Sequence, residues 1–164
     1  MTLKPTVFVV DDNAGVRKSL TALFTSAELA VETYASGGEF LAAYDPARGG
    51  CLLLDVRLRG SSGLDLQDEL RRRGAALPII VLTGYGTVPT SVRALKSGAV
   101  DFLQKPAAPE ILLERVLAAL ELDRQARVTV AAEAIVTERL AHLTPREHQV
   151  MELLLDGKSS KEIA

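Results

Sequence analysis

The chain has 164 residues, 48% of them hydrophobic and 24% charged, too apolar for a disordered polymer and ordinary for a globular one. With 19 basic against 21 acidic residues the formal net charge is −2, which excludes a polybasic nucleic-acid or membrane binder by bulk charge. A single cysteine excludes an internal disulfide framework and a cysteine-based zinc site, and Trp is absent, so the core must be built from Leu, Val, Ile and Ala.

No apolar run approaches the ~18 residues of a membrane span, and the opening MTLKPTVFVVDDN meets two acids before a signal-peptide core could form. The expectation is a cytoplasmic protein with no membrane partner. Over the first 105 residues two periods alternate. Short apolar runs at 6–10, 30–34, 51–54, 78–82 and 99–103 read as strands, and the stretches 14–27, 38–44, 63–73 and 88–96 have helical spacing. Strands alternating with helices predict a parallel sheet covered on both faces, a doubly wound α/β domain of five strands. Asp45-Pro46 and Gly49-Gly50 break the chain before the third strand, Gly74 closes the third helix, and Gly98 closes the fourth with Lys96 in its last turn.

After Pro109 no Gly or Pro occurs until Pro145. That segment reads largely as helix and, if continuous, spans about 50 Å at ~1.5 Å per residue. Ile111, Leu112, Val116, Leu117 and Leu120 are expected to pack on the sheet. The far part, with Val128, Ala131 and Ile135, is expected to be a linker or a dimer contact. The β-branched run Val128-Thr129-Val130 is the expected place for a break. Thr144-Pro145-Arg146-Glu147 reads as a capping box opening a further helix, and Ser159-Ser160-Lys161-Glu162 as a second, with only two residues after it. The expectation is an all-α segment left incomplete at Ala164.

The chemistry is concentrated at strand ends. Asp11 and Asp12 follow TVFVV, Asp55 follows CLLL, Thr83 ends PIIVLT, and Lys105 follows DFLQ. In open α/β sheets ligands bind outside the carboxyl ends of the strands, where the strand order reverses. Three carboxylates so placed repel one another unless a cation compensates. A hard divalent ion such as Mg²⁺, held by one or two carboxylates and waters, does so and leaves room for a phosphate. Lys105 adds a positive charge, Thr83 a hydroxyl, and Gly84 an open backbone N–H. Acids, a metal, a lysine and a hydroxyl around one carboxylate make a phosphoryl-transfer site with the carboxylate as nucleophile. Each piece alone is an ordinary turn or cap, and the joint arrangement is what is specific.

The blocks VFVVDDN, LLLDVRLRGSSGLDL (52–66), PIIVLTGYG (78–86) and GAVDFLQKP (98–106) resemble the receiver domain of two-component response regulators, over roughly residues 4–122. The last two blocks look most like the FixJ-type branch of the NarL/FixJ subfamily. The tail LTPREHQVMELLLDGKSSKEIA resembles the opening of its LuxR/FixJ-type helix-turn-helix domain. The resemblance implies a flavodoxin-like receiver at 1–122, a helical linker at 123–140 and an incomplete helix-turn-helix segment at 141–164. It implies Asp55 as phosphoacceptor, Mg²⁺ held by Asp12, Asp55 and the backbone carbonyl of Arg57, and Asp11 acting through water. It implies Thr83 and Lys105 as ligands of the phosphoryl oxygens, Thr83 and Phe102 as the switch pair, and a cis bond before Pro106. The implied partners are a sensor histidine kinase and a second copy of the chain, meeting through helix 88–97 and strand 99–103. DNA is expected as a partner of a longer parent chain only, because the recognition helix would lie past Ala164. Residues 125–164 carry five Lys/Arg against six Asp/Glu, no electrostatic footprint for DNA.

One residue departs from the family pattern: Arg59 stands where a proline is usual, removing a fixed φ and adding a charge near the site mouth. Among rival readings, a haloacid-dehalogenase-type phosphatase needs a second Asp two positions after its nucleophile, where this chain has Asn13. A nucleotide- or flavin-binding domain needs a Gly-rich loop after the first strand, which is missing. A stand-alone phosphorelay receiver leaves the chain after residue 122 unexplained. Cys51 reads as a small buried hydrophobe. His142 and His148 read as surface or packing residues, and Arg72-Arg73 as a solvated helix end.

Overall fold

The structure, a computed structural model, describes residues 4–84, 86–141, 145–147 and 149. Five strands form one parallel sheet: β1 (Thr6–Val10), β2 (Ala30–Tyr34), β3 (Gly50–Leu54), β4 (Ile79–Thr83) and β5 (Asp101–Gln104). Their order across the sheet is β2-β1-β3-β4-β5. Five helices connect and flank them: α1 (Ala14–Ser26), α2 (Gly37–Ala43), α3 (Gly63–Arg72), α4 (Val88–Lys96) and α5 (Pro109–Ala141). This is the doubly wound, flavodoxin-like arrangement, with the strand order reversing between β1 and β3.

Alternation along each strand sends side chains to two cores. Phe8, Val10, Leu52, Leu54, Ile79 and Val81 pack with Phe40 of α2, Leu64, Leu66 and Leu70 of α3, and Ala94 of α4. Val7, Val9, Cys51, Leu53, Ile80 and Leu82 pack with Leu20 and Phe24 of α1, and with Leu112, Val116 and Ala119 of α5. Strands β1, β3 and β4 are buried along their whole length, which is why they read as continuous apolar runs. Phe8, Phe40 and Tyr44 add ring contacts at centroid distances of 5.3 to 6.5 Å.

Caps set the boundaries. Asn13, Ser36, Ser62 and Thr87 each accept a backbone N–H from the first turn of the helix they precede. At the end of α4, Gly98 takes φ +101°, and the Ala99 N–H bonds the Ala94 carbonyl at 3.0 Å. That bond takes the Ala99 N–H for the helix end, so β5 starts at Asp101 rather than at 99. The last strand residue of β4 is Thr83, one beyond the sequence reading.

Two other expectations need correction. Helix α5 runs unbroken through Val128-Thr129-Val130. A β-branched residue costs a helix only about 0.7 kcal/mol at most, so three of them bend the balance without breaking the helix. Its buried face is Leu112, Val116, Ala119 and Asp123, at helical spacing, while Ile111 and Leu117 are exposed. The chain divides into two units, Met1–Gln125 and Ala126–Ala164. In the second, Val128, Val130, Ile135 and Val136 are exposed, and residues 145–147 are helical. His142, His148 and the capping box at 159–162 lie outside the described residues, as does the apolar stretch 150–155.

Between β3 and α3 the sequence reading missed a two-residue antiparallel ladder, Arg57–Leu58 against Ser61–Ser62. Its turn is Arg59-Gly60, with Gly60 at φ +76°. The glycine supplies the left-handed residue, and Arg59 takes the position before it.

At the amino end of the sheet, Asp123 of α5 is 4% exposed and accepts the Gly50 N–H at 2.9 Å. Cys51 beside it is buried, and that burial, helped by the Asp123 charge, pushes its thiol up to about 12. It stays a neutral packing group at physiological pH. Asp123→Leu should lower unfolding free energy by about 1–3 kcal/mol, the cost of an unpaired buried N–H. Asp123→Asn, which keeps an acceptor oxygen, should lose far less; urea denaturation of the two variants checks this.

Candidate functional site

The ladder continues past the strand ends and aligns the polar residues there. The Asp11 N–H bonds the Tyr34 carbonyl at 3.1 Å, the Asp55 N–H bonds the Val10 carbonyl at 3.0 Å, and the Lys105 N–H bonds the Thr83 carbonyl at 2.8 Å. Asp11 and Asp55 are thereby brought side by side at the reversal point of the sheet. Carboxylate oxygens of Asp11, Asp12 and Asp55 all lie within 4.8 Å of one another. Asp11 is 3% exposed and Asp55 8%, whereas Asp12 is half-buried.

Lys105 closes the cluster. Its Nζ donates to Asp11 Oδ2 at 2.6 Å and to Asp55 Oδ2 at 3.0 Å. The remaining oxygens of these two acids are held by the backbone: Asp11 Oδ1 accepts the Asn13 N–H at 2.9 Å, and Asp55 Oδ1 the Arg57 N–H at 3.1 Å. The Lys105–Pro106 peptide is cis. Burial holds the Asp11 carboxyl above its ordinary value, although the bonds from Lys105 and Asn13 pull the other way. Burial also works against the charge of Lys105, but the two carboxylates more than offset it, and the ammonium sits above its ordinary value.

The balance of charge shows what this site can hold. Two carboxylates ~4 Å apart repel by about 4 kcal/mol at an effective dielectric of ~20. One ammonium faces three carboxylates, so an excess of negative charge remains. All the side-chain donors are oxygens, the ligand set of a hard divalent cation. The residues fit such an ion: three acids from two strand ends, with Asp12 the least buried of them. Arg57 starts the short ladder after Asp55, and its side chain is exposed. Its carbonyl is the one expected ligand that the acid cluster does not include.

Thr83 is fully buried at the end of β4, joined to Lys105 through its carbonyl. Gly84 follows it and is exposed; a Cβ there would meet nothing within 4 Å, so crowding does not explain that glycine. Phe102 lies opposite Val81 in β5 and is half-buried. A Cβ added at Gly86 would come within 2.9 Å of the Phe102 ring and 3.7 Å of Thr83 Cγ2. The loop after β4, the threonine and the ring therefore share one small volume.

Two contributors to the site, Arg17 and Gly63, were not found from sequence, nor was Gln67, which touches none of the acids. Arg17 of α1 donates to the Asp11 carbonyl at 2.7 Å, steadying the acid loop from its outer side. Gly63 starts α3 directly against Asp55: a Cβ there would overlap the Asp55 carbonyl oxygen at 2.0 Å. Gln67, one turn further on, is 1% exposed. Arg17 and Gly63 carry no local signal, because each acts on a backbone atom distant in sequence or around a turn. Gln67 has one: a polar residue at i+3 from Leu64 and i−3 from Leu70, inside an apolar stripe.

The model of the response regulator receiver domain family matches residues 7–117. The chain belongs to that family. The model of bacterial regulatory proteins of the luxR family matches residues 141–164 as well. Nodulation protein W of Bradyrhizobium diazoefficiens is 46% identical over 161 residues, covering 98% of this chain and 71% of that protein. The transcriptional regulatory protein FixJ of Azorhizobium caulinodans is 43% identical over 158 residues, covering 96% and 75%. Among solved structures, the response regulator StyR matches with a TM-score of 0.86 at 40% identity, covering 99% of this chain and 82% of that one. Full-length FixJ from B. japonicum matches with a TM-score of 0.69 at 37% identity, covering 99% and 80%.

A receiver followed by a luxR-type segment makes this response regulator a two-component regulator of transcription, a regulatory protein. The phosphatase and nucleotide-binding readings fall with the family match, and the stand-alone receiver with the second one. The pairing implies a sensor kinase upstream and DNA downstream. Among the described residues no helix is long and apolar enough to cross a membrane.

Removing Lys105 tests the electrostatics directly. Lys105→Met deletes the ammonium that lowers the Asp11 carboxyl pKa, so that pKa should rise further above the ordinary aspartate value. Carboxyl carbon NMR titration of the two chains reads the change, and an unchanged or lower Asp11 value would contradict the balance described above.

Proposed function

We propose that Asp55 is the phosphoacceptor, taking a phosphoryl group from a phosphohistidine of a sensor kinase. The observation that carries this reading is the Lys105 ammonium shared between Asp55 and Asp11, with Asp12 close by, at the reversal point of the sheet. A carboxylate oxygen of Asp55 attacks phosphorus in line with the leaving imidazole; the P–O bond forms as the P–N bond breaks, and the histidine leaves neutral after protonation. Asp12, Asp55 and the Arg57 carbonyl would hold Mg²⁺, with Asp11 acting through water, and the ion would supply charge neutralisation for the phosphoryl oxygens. Lys105 exchanges its carboxylate contact for a phosphoryl oxygen, and the Thr83 hydroxyl and the Gly84 N–H bond the other oxygens. The same residues accept a small acyl phosphate, so the chain catalyses its own labelling and, with water as acceptor, its own dephosphorylation, and no other reaction.

A groove of about 510 Å³ lies beside the acids, between α1 and the start of α5, lined by Asn13, Val16, Leu20, Lys105, Pro106 and Leu112. It shares Lys105 with the acid cluster.

The output runs through Thr83 and Phe102. When the Thr83 hydroxyl moves to the phosphoryl group, the volume it leaves admits the Phe102 ring, and the face made by helix 88–97 and strand 99–103 changes shape. That face already carries Val88 (76% exposed), Val92, Leu95 and Val100 on its surface. Those side chains support homodimerisation on phosphorylation as the event that delivers the signal. In this reading 1–122 is the receiver, 123–140 a helical linker, and 141–164 belongs to the helix-turn-helix that acts on DNA. The whole sequence of events takes place in the cytoplasm.

Asp55→Asn should abolish labelling by acyl phosphate with Mg²⁺, read as loss of the phosphoryl mass gain, and labelling at the unmodified chain's rate would remove Asp55 from the role. Leu95→Asp should leave labelling intact and cut the dimer fraction of labelled protein at least ~10-fold, because a buried unpaired carboxylate at an interface core costs several kcal/mol. Sedimentation of labelled samples measures it.

A further inference from the structure

Helix α4 is lightly held. Its one buried residue is Ala94, and Val88, Val92 and Leu95 are 76%, 42% and 49% exposed. Apolar burial alone does not position such a helix. Two polar ties to α3 do. Gln67 Nε2 donates to the Ala94 carbonyl at 2.7 Å, fully buried. A carbonyl only accepts, so the nitrogen of the amide must face it. The same carbonyl takes the Ala99 N–H, so Gln67 grips α4 at the turn that leads into β5. On the outer side, Arg93 of α4 reaches Asp68 of α3 at 3.2 Å and Asp65 at 3.5 Å.

The other half of the Gln67 amide has no partner. Oε1 is buried and accepts no hydrogen bond among the described residues. A buried acceptor left without a donor destabilises the fold that holds it. Leu or Met would fill a similar volume without that cost, so Gln67 is a poor choice for stability alone. Its position supplies a reason. Gly63 seats the first turn of α3 against the Asp55 carbonyl, and its N–H bonds the Val56 carbonyl at 2.7 Å. Gln67 follows four residues later, on the same face of the helix. A shift of the Asp55 loop is thereby carried by one helical turn to the amide that holds α4.

We propose that Gln67 is a latch. Its amide nitrogen holds α4 in the present position, and the orphaned oxygen keeps that position only marginally preferred. Helix α3 is then a second route from Asp55 to α4, separate from Thr83 and Phe102. The holding role stands on the geometry alone; its link to signalling rests on the reading of Asp55 as phosphoacceptor.

The test is hydrogen–deuterium exchange of the full chain and its Gln67→Met variant, with no phosphate donor present. One hydrogen bond of ordinary net worth, ~0.5–1.5 kcal/mol, corresponds to roughly 2- to 13-fold faster exchange when it is lost. Peptides from 88–97 should exchange roughly 2- to 13-fold faster in the variant, while those from β3 and α1 keep their rates and the urea midpoint stays equal or rises. Unchanged exchange in α4 overturns the latch. So does a uniform change that follows global stability, or a variant that does not fold, since the orphan amide would then be a structural necessity. Arg93→Ala loosens the same helix from its exposed side and should raise exchange over 88–97 by a smaller factor; no rise there removes the second tie. Acyl-phosphate labelling of Gln67→Met separates the two readings: it should proceed at the rate of the unmodified chain and give dimers at a lower labelled fraction. Absent labelling in both chains condemns the phosphoacceptor role and leaves the exchange result standing; unchanged dimerisation with faster α4 exchange overturns the α3 route.

Discussion

The Lys105 ammonium between Asp11 and Asp55 is the contact on which the rest of this site depends. Its ends are 94 and 50 residues away from Lys105 in the chain. They meet because parallel strands bring every carboxyl end to one edge, and because the hydrogen-bond ladder runs one residue past β1, β3 and β5. Without that cation two buried carboxylates would face one another in a medium where repulsion of unit charges is several-fold stronger than in water. With it the two carboxylates share one ammonium, Asp11 Oδ2 at 2.6 Å and Asp55 Oδ2 at 3.0 Å, and the third acid lies close by. The proposed phosphoryl transfer draws on that arrangement: carboxylate oxygens grouped as a divalent ion would need them, and a lysine within reach of both.

The stability of the domain is distributed to match. The central strands are sealed between two apolar layers, with Phe8 and Phe40 on one side and Phe24 on the other, and they make a rigid frame for the acids. Helix α4 has one buried residue and is held mainly by polar ties. Elements that move in signalling are drawn from the weakly held parts of a fold, since a well-buried helix would cost too much to displace. The volume shared by Thr83, Gly86 and Phe102 belongs to the same economy of small clearances. A glycine at 86 lets the loop approach the ring closely, so loop position and ring position constrain each other.

Arg59 shows how a local departure can be absorbed. A proline at that position would preset φ, and its loss removes one constraint. The turn is closed instead by Gly60 in the left-handed region and by the short ladder on either side of it. The ladder also orients the Arg57 N–H toward Asp55, so the loop that carries the departure still fixes the carboxylate it follows.

The amino-acid sequence by itself determined the number and type of the main elements, because both signals are local. Apolar runs such as TVFVV and PIIVLT bury on two faces only as central strands, and Asn13, Ser62, Gly74 and Gly98 mark helix ends by their own backbone chemistry. It also singled out Asp11, Asp12, Asp55, Thr83 and Lys105, since residues after successive parallel strands share an edge. Tertiary structure alone decided the contacts among them: which acids share the lysine, that α5 passes through Val128-Thr129-Val130, and that Ile111 and Leu117 face outward. It alone brought in Arg17, Gly63, Gln67 and Asp123. Each of these acts on a backbone group far along the chain, or around a turn from it, and a hydrogen bond to a distant carbonyl or N–H leaves no periodic trace in the order of residues. Strand order, which no local pattern encodes, decides which of those distant groups come within reach.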